Sequence, residues 1–469
     1  MKEVLRQFFD DVRARCPGTE ILTSDEDRLA YSHGCYPREY KWILQGKYPY
    51  VTEGVLVPGD EEGVCGILRL AGDRGIGVIP YGGGSGIVGG SIPYDGQVIV
   101  DTKRLTAFSV NAANMTARGG AGLSGCEFEN LLNSRGYTSG HYPQSFQSAC
   151  LGGMVATRAI GTFSTKYGKM DDMVTALDVA LPTGEMLRTH EAPKRSTGPE
   201  LVQLFLGSEG VYGIVTSVEM RIHPIAEKRI FAAYTFPQTE DGLNAVRAII
   251  HRGLRPAVVR LYDETEARHK VAQYRFELGS SLLILIFEGY EEETELEARL
   301  SDGICAAHLG RRKGGTASRE WFATRFSTKK MLDYDAIRGG TADAIEVAAP
   351  WDRIVTVWRE MRYALEPLCD VVDCHFSHVY HSGASVYVIF HATTWGDERE
   401  GEKRYLECLR IACETSVKHG GNVSHHHGVG TAKAEFMALE HGTSGVGVMK
   451  KIKDALDPNG ILNKGVLGL

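Results

Sequence analysis

The stretch Pro80-Tyr81-Gly82-Gly83-Gly84-Ser85-Gly86-Ile87-Val88-Gly89-Gly90 constrains this chain more than any other. Two apolar runs, Gly77-Val78-Ile79-Pro80 and Val98-Ile99-Val100-Asp101, read as strands on either side of it. Gly84-x-Gly86-x-x-Gly89 matches a dinucleotide fingerprint, and Asp101 closes the following strand. That fingerprint requires a helix directly after the glycines. The chain instead continues Ser91-Ile92-Pro93-Tyr94-Asp95-Gly96, which is a turn. A phosphate loop of the Walker type fails as well, because no Lys-Ser/Thr pair follows a glycine. Two readings remain. The free N–H groups curl into a nest that takes a pyrophosphate without a lysine, or the stretch is a solvated surface loop.

The wider composition narrows the class. Glycine supplies 55 of the 469 residues, well above the usual ~7%. Surplus glycine suits a site built from main chain. The length predicts two or three domains. A net charge of −7 without a basic cluster argues against nucleic acid as a partner. Met1 to Val12 is not a secretory signal, and Leu282 to Phe287 is a buried strand too short to span a bilayer. The C-terminus carries no peroxisomal or retention tag. Ten cysteines with no CxxC pair fit reduced thiols and a cytoplasmic location, with Cys408 and Cys413 as packing residues.

Beyond about Ile225 the texture changes to strands alternating with amphipathic helices. One helix starts at Thr239, places Leu243, Val246, Ile249 and Ile250 on one face and stops at Gly253. Others are expected from about Arg353 to Leu365 and from about Glu402 to Lys418, and the tail from about Gly428 reads as helical. This order predicts an α+β substrate domain lying over the first.

Two further segments join the glycine stretch. One is Gly140-His141-Tyr142-Pro143-Gln144-Ser145 with Cys150 to Ala159; the other is Gly207-Ser208-Glu209-Gly210-Val211-Tyr212-Gly213. Here the chain resembles the vanillyl-alcohol-oxidase superfamily, whose flavin domain carries PxGGGT, GGxxxT and GSEGxxG in this order. Only Ser85, in place of threonine, departs from the pattern. The resemblance implies an α+β fold: a PCMH-type FAD-binding domain of two α+β subdomains over 1–226, and a C-terminal FAD-linked-oxidase substrate (cap) domain, with antiparallel sheet and helices, over 227–427. A helical segment, 428–469, would return to the FAD domain. It also implies residue roles. Pro80, Tyr81, Gly82, Gly83, Gly84, Ser85 and Gly86 would cradle the pyrophosphate. Gln144, Ser145, Ser148, Cys150, Gly153, Thr157, Arg158 and Ala159 would line the ring and ribityl chain. Glu209, Gly213, Ile214 and Val215 would supply backbone contacts to the adenosine side and ring edge. No His or Cys stands where some relatives attach FAD, so noncovalent FAD is expected.

Six of the sixteen histidines fall in two windows, His375, His378 and His381, then His425-His426-His427. The triplet followed by Gly428-Val429-Gly430 resembles the alkylglycerone phosphate synthases. So do Thr157-Arg158-Ala159, the Arg260 strand, and Ser377 to Tyr387. The resemblance implies Tyr387 as acid/base, His425, His426 and His427 as hydrogen-bonding groups, Arg260 as an essential arginine, and flavin N5 as an electrophilic holder with no net redox change. A phenol has a pKa near ~10, so histidinium or Arg260 is expected to depress that of Tyr387. A phosphate-gripping arginine of the family falls near Leu332; Lys329, Lys330 or Arg338 would substitute. No apolar tunnel segment is evident, so the expected substrate is a small oxygenated molecule, phosphorylated or not.

The competing reading, in the same superfamily, is a D-2-hydroxy-acid dehydrogenase or oxidase passing hydride to FAD. Its metal-binding strand matches at His378, but its second histidine falls on Tyr387 and its glutamate on His426. A set of His378, His381 and His426 or His427 would still bind a metal through imidazole. A third reading is an FAD-binding protein without turnover. Either enzyme reading implies a small-molecule substrate; the electron acceptor is not readable, and a homodimer through the substrate domain is an expectation of the family.

Overall fold

The computed structural model describes residues 3–94, 96–277, 279–327 and 340–469. Three larger sheets organise them, together with a two-stranded ribbon of Tyr137–Thr138 and His223–Pro224. The first orders Glu20–Leu22, Val55–Val57, Val98–Asp101 and Val78–Tyr81, the last three parallel. Helices Glu3–Arg15 and Glu61–Arg74 bury Phe8, Val12, Val64, Ile67 and Leu68 against it. The second is antiparallel: Phe108–Asn111, Thr116–Gly120, Ile214–Arg221, Val174–Ala180 and Met186–Arg188. The expected turn after Val88-Gly89-Gly90 is present, with no helix before the strand Val98–Asp101.

The third sheet has seven antiparallel strands. Their order is Arg311–Arg312, Lys228–Phe236, Ser281–Gly289, Val258–Tyr262, Val371–Val379, Gly383–Thr393 and Gly340–Pro350. Alternation along each strand assigns its faces. Leu261, Phe376, Val386, Val388 and Val347 point to one side, where helices Thr239–His251, Ile354–Leu365 and Glu398–Lys418 cover them. Cys408 and Cys413 lie in that core, as packing residues do. Arg260, His375, Tyr387 and Glu346 carry the opposite parity. Residues from 142 to 169 of the N-terminal half close on that other face, through Ser164, Thr165 and Lys169.

Two sequence expectations shift. The helix ending at Lys418 begins at Glu398, one turn early, because Asp397 caps it by accepting from the amides of Arg399 and Glu400. The tail helix begins at Met437, not Gly428, and bends at Gly442. Gly428 and Gly430 have positive φ, 87° and 52°, which no helix continues. Among the described residues no helix is long and apolar enough to cross a membrane.

Candidate active site

The three glycine-rich segments meet. A Cβ on Gly83 would run into the Ser148 carbonyl, and one on Gly82 would sit 3.1 Å from Cys150 Cβ. A Cβ on Gly210 would lie 2.7 Å from Pro80 Cγ. The tail joins them: a Cβ on Gly430 would strike the Val88 carbonyl, and Asn463 Nδ2 donates to the carbonyls of Gly90 and Glu209. Only glycine allows main chain this close.

The amides of residues 82–90 donate to no protein acceptor among the described residues. A run of unspent donors beside a surface-open Gly86 is the arrangement an anionic diphosphate satisfies. Gln144, Ser148 and Gly153 are exposed along the same side, and nothing stands in front of Gly153 within 4 Å. Thr157 Oγ1 donates to the Gly153 carbonyl at 3.0 Å. Arg158, at φ 49°, reaches Gln203 while its buried Nε lacks a partner. Ser145 and Ala159 are half-buried beside them. The residues therefore fit FAD held by main chain. The Glu209 side chain turns to the tail: its carboxylate accepts from Val429 N at 2.7 Å and Gly430 N at 2.8 Å, and burial pushes its pKa up to about 7. Gly213, packed on Val179, precedes the strand Ile214–Arg221 that carries Ile214 and Val215.

Strand register assembles the second half of the site. Tyr262 lies opposite His375, His375 opposite Tyr387, and Tyr387 opposite Glu346. Four side chains from four neighbouring strands thus share one row on one face. Tyr387 stacks on His375, centroids 4.6 Å apart at 20°, and lies 5.9 Å from His426 at 19°. His427 meets it edge-on at 5.7 Å. The Tyr387 ring keeps part of its surface open, and its hydroxyl has no hydrogen-bond partner among the described residues. His375 Nδ1 lies 2.7 Å from Glu266 Oε2 and 3.3 Å from Arg260 Nη2. An acceptor carboxylate that close requires Nδ1 to carry the proton. Arg260 Nε is buried and unpartnered.

The charges differ from expectation. Burial pushes the Tyr387 pKa up, and Asp343 and Glu346 add to it; Arg260 opposes them without reversing the shift. Arg260 is the expected cation that is present, while burial disfavours the charged form of four surrounding imidazoles. Burial takes His375 down to about 4 and His425 down to about 3. It also holds His378 and His426 well below the usual imidazole range, with neighbouring histidines adding to the effect.

Glu346 escaped the sequence reading. Its carboxylate, fully buried, accepts from the amides of His425, His426 and His427 at 3.2, 3.0 and 2.7 Å, and from Ser424 Oγ at 2.6 Å. Lys433 Nζ lies 2.8 Å away and His427 Nδ1 3.3 Å away. Burial alone would raise its pKa, but His427 and Lys433 hold it well below the carboxylate range. A lone acid within the apolar run Ala344-Ile345-Glu346-Val347-Ala348 was the available signal.

The expected metal set does not assemble. His381 is exposed, its ring against His251 at 4.8 Å, while His378 rests on Ser164 Oγ at 2.8 Å near His425 and His426. A bulge between Ser377 and Val379 takes His378 out of register, and beyond it the chain turns outward at His381. Among the described residues no three His, Cys, Asp or Glu groups converge for a metal. Lys329, Lys330, Leu332 and Arg338 lie outside the described residues.

Known proteins agree with this geometry. The domain described as "FAD linked oxidases, C-terminal domain" matches residues 225–467, and "FAD binding domain" matches 52–190. An alkyldihydroxyacetonephosphate synthase of Caenorhabditis elegans is 28% identical, with 92% of this chain and 79% of that protein covered. The mitochondrial D-lactate dehydrogenase [cytochrome] of Arabidopsis thaliana is 27% identical, with 95% and 77% covered. A solved alkyldihydroxyacetonephosphate synthase superposes with a TM-score of 0.80 at 23% identity, over 98% of this chain and 84% of that one. p-Cresol methylhydroxylase superposes with 0.79 at 17% identity, over 100% and 98%. With a nest of free amides on one side and the Tyr387 row on the other, this chain belongs to the FAD linked oxidases and is an FAD-dependent enzyme.

Proposed function

We propose that the chain acts on a small, oxygenated substrate in the manner of an alkylglycerone phosphate synthase, with Tyr387 as its acid. The observation that carries this reading is the unpaired Tyr387 hydroxyl between neutral imidazoles. Bound FAD would supply an electrophilic ring nitrogen, N5, to the reacting carbon. A phenol whose pKa is raised is protonated at neutral pH, so Tyr387 starts as a proton donor to an oxygen that leaves or develops charge. Neutral His426, with Nε2 free of partners among the described residues, offers the complementary base. Arg260, its Nε unspent, would orient an anionic group of the substrate. FAD would be held without a covalent bond, so acid precipitation should leave the colour in the supernatant.

A second reading has its own support. A neutral imidazole beside the cleft is also the base that oxidation of a D-2-hydroxy acid needs, and D-lactate dehydrogenases are among the similar proteins. One panel separates the two. Under the first reading, D-2-hydroxy acids leave the anaerobic flavin yellow, and acyl glycerone phosphate exchanges its acyl group for an alcohol. Bleaching by a hydroxy acid without such exchange would replace the first reading by the second.

A further inference from the structure

The Tyr387 row explains the reacting face, but one chain of hydrogen bonds runs behind it. Tyr380 Oη lies 2.7 Å from His425 Nε2, and His425 Nδ1 lies 2.8 Å from His426 Nδ1. The His426 ring then stacks 5.9 Å from the Tyr387 ring, and its Nε2 has no partner among the described residues. At the far end, Tyr380 is half-buried next to the Asp171-Asp172 turn, with Asp172 exposed. We propose that Tyr380, His425 and His426 form a proton relay between the outer turn and the reacting face. The proposal rests on the reading that Tyr387 and His426 face the substrate.

The polarity of these bonds permits transfer. A neutral imidazole carries one N–H and one bare nitrogen. In the state where His426 Nε2 is bare and serves as base, His426 Nδ1–H donates to His425 Nδ1 and His425 Nε2–H donates to Tyr380. In the other state Tyr380 donates to His425 Nε2, His425 Nδ1–H donates to bare His426 Nδ1, and His426 carries its proton on Nε2. A proton arriving from water at the Tyr380 oxygen sends that hydroxyl's own proton to His425 Nε2. His425 releases its Nδ1 proton to His426 Nδ1, and His426 releases its Nε2 proton to a base in the site. Each residue keeps its proton count, and both imidazoles change tautomer. The reverse passage restores them, so a reaction that borrows and returns one proton resets the relay.

Burial that keeps both rings neutral serves this purpose, since an imidazolium has no bare nitrogen to accept. The surrounding charges are already committed. Lys169 Nζ donates to the His425 carbonyl at 2.7 Å, and Glu346 fixes the amides of all three histidines while pairing with His427 and Lys433. His378, the remaining ring against the pair, is tied to Ser164. The relay bonds are therefore held at both backbone and side chain, and no charged group interrupts them.

The test uses FAD-loaded protein carrying ring-15N histidine, with hydrogen exchange followed by NMR. In the wild type, His425 and His426 should each show one protonated and one bare nitrogen, with a proton shared between the two Nδ1 atoms. Tyr380→Phe removes only a hydroxyl, and exchange of that shared proton with water should slow by roughly tenfold or more. An unchanged rate in Y380F overturns the proposal. So does a wild-type His425 protonated on both nitrogens, or the absence of the shared proton, whether or not the variant folds. No turnover is needed, so this result and the outcome of the substrate panel fail independently.

Discussion

At the scale of single residues, the site depends on two oxygen-bearing side chains with opposite demands. Tyr387 keeps its hydroxyl without a partner among the described residues, which is what the proposed acid role requires. Tyr387→Phe should lower turnover by about 10²–10⁴-fold, the usual contribution of a placed acid, while the flavin absorbance of the purified protein stays at wild-type level. Retained turnover would remove Tyr387 from the acid role. Glu346 is the reverse case, an anion whose every oxygen is occupied. Glu346→Ala leaves Lys433 buried and uncompensated and strands the amides of the triplet. Breaking a buried pair in this way costs about 3–5 kcal/mol, so thermal melting should fall sharply. An unshifted melt would show that Lys433 finds another partner. The triplet His425-His426-His427 was legible because three adjacent imidazoles serve no packing purpose. Glu346 was not, because its importance comes from a hydroxyl and amides 78 or more positions away.

At the scale of elements, two devices build the cleft. One is β-register: antiparallel pairing puts Tyr262, His375, Tyr387 and Glu346 side by side although they are scattered from 262 to 387. Alternating parity could be read along each strand from sequence, but the partner of each residue could not. The bulge at His378 shows the limit, since one unpaired residue re-aims the side chains after it. The other device is the glycine loop. Its spacing excluded a Rossmann helix from sequence alone, and the turn after it bears this out. Gly83→Ala would force Cβ into the Ser148 carbonyl. Overpacking of this kind costs about 1–3 kcal/mol, so FAD should bind roughly tenfold to hundredfold more weakly. Titration of apoprotein with FAD, followed by flavin fluorescence, reads this directly; unchanged affinity would free the loop from its assigned role.

At the scale of the whole molecule, the tail ties the halves together. The loop after the histidine triplet is clamped by Glu209, and the chain end inserts Ile461, Leu462, Val466 and Leu467 into the N-terminal cores. The Glu209 clamp is pH-dependent. Its folded pKa of about 7 lies above the ordinary 4.5, so the folded protein holds this proton more tightly than the unfolded chain. The native state is therefore penalised progressively as pH rises from about 4.5 through 7. Glu209→Gln lacks that titration. The wild-type advantage in melting temperature over E209Q should shrink between about pH 5 and pH 8. A growing advantage would mean that the clamp prefers the carboxylate.

The sequence by itself determined what is local. Glycine spacing dictates where backbone amides stay free, apolar alternation dictates which strand faces bury, and the clustered histidines mark one end of a site. These depend only on neighbours along the chain. The tertiary structure decided what the site's groups are. Burial lowers the proton affinity of His375, His378, His425 and His426 and raises that of Tyr387, where cations and a depressed phenol were expected. Proton affinity is set by desolvation and by charges brought near through folding, and neither is written in the order of the residues.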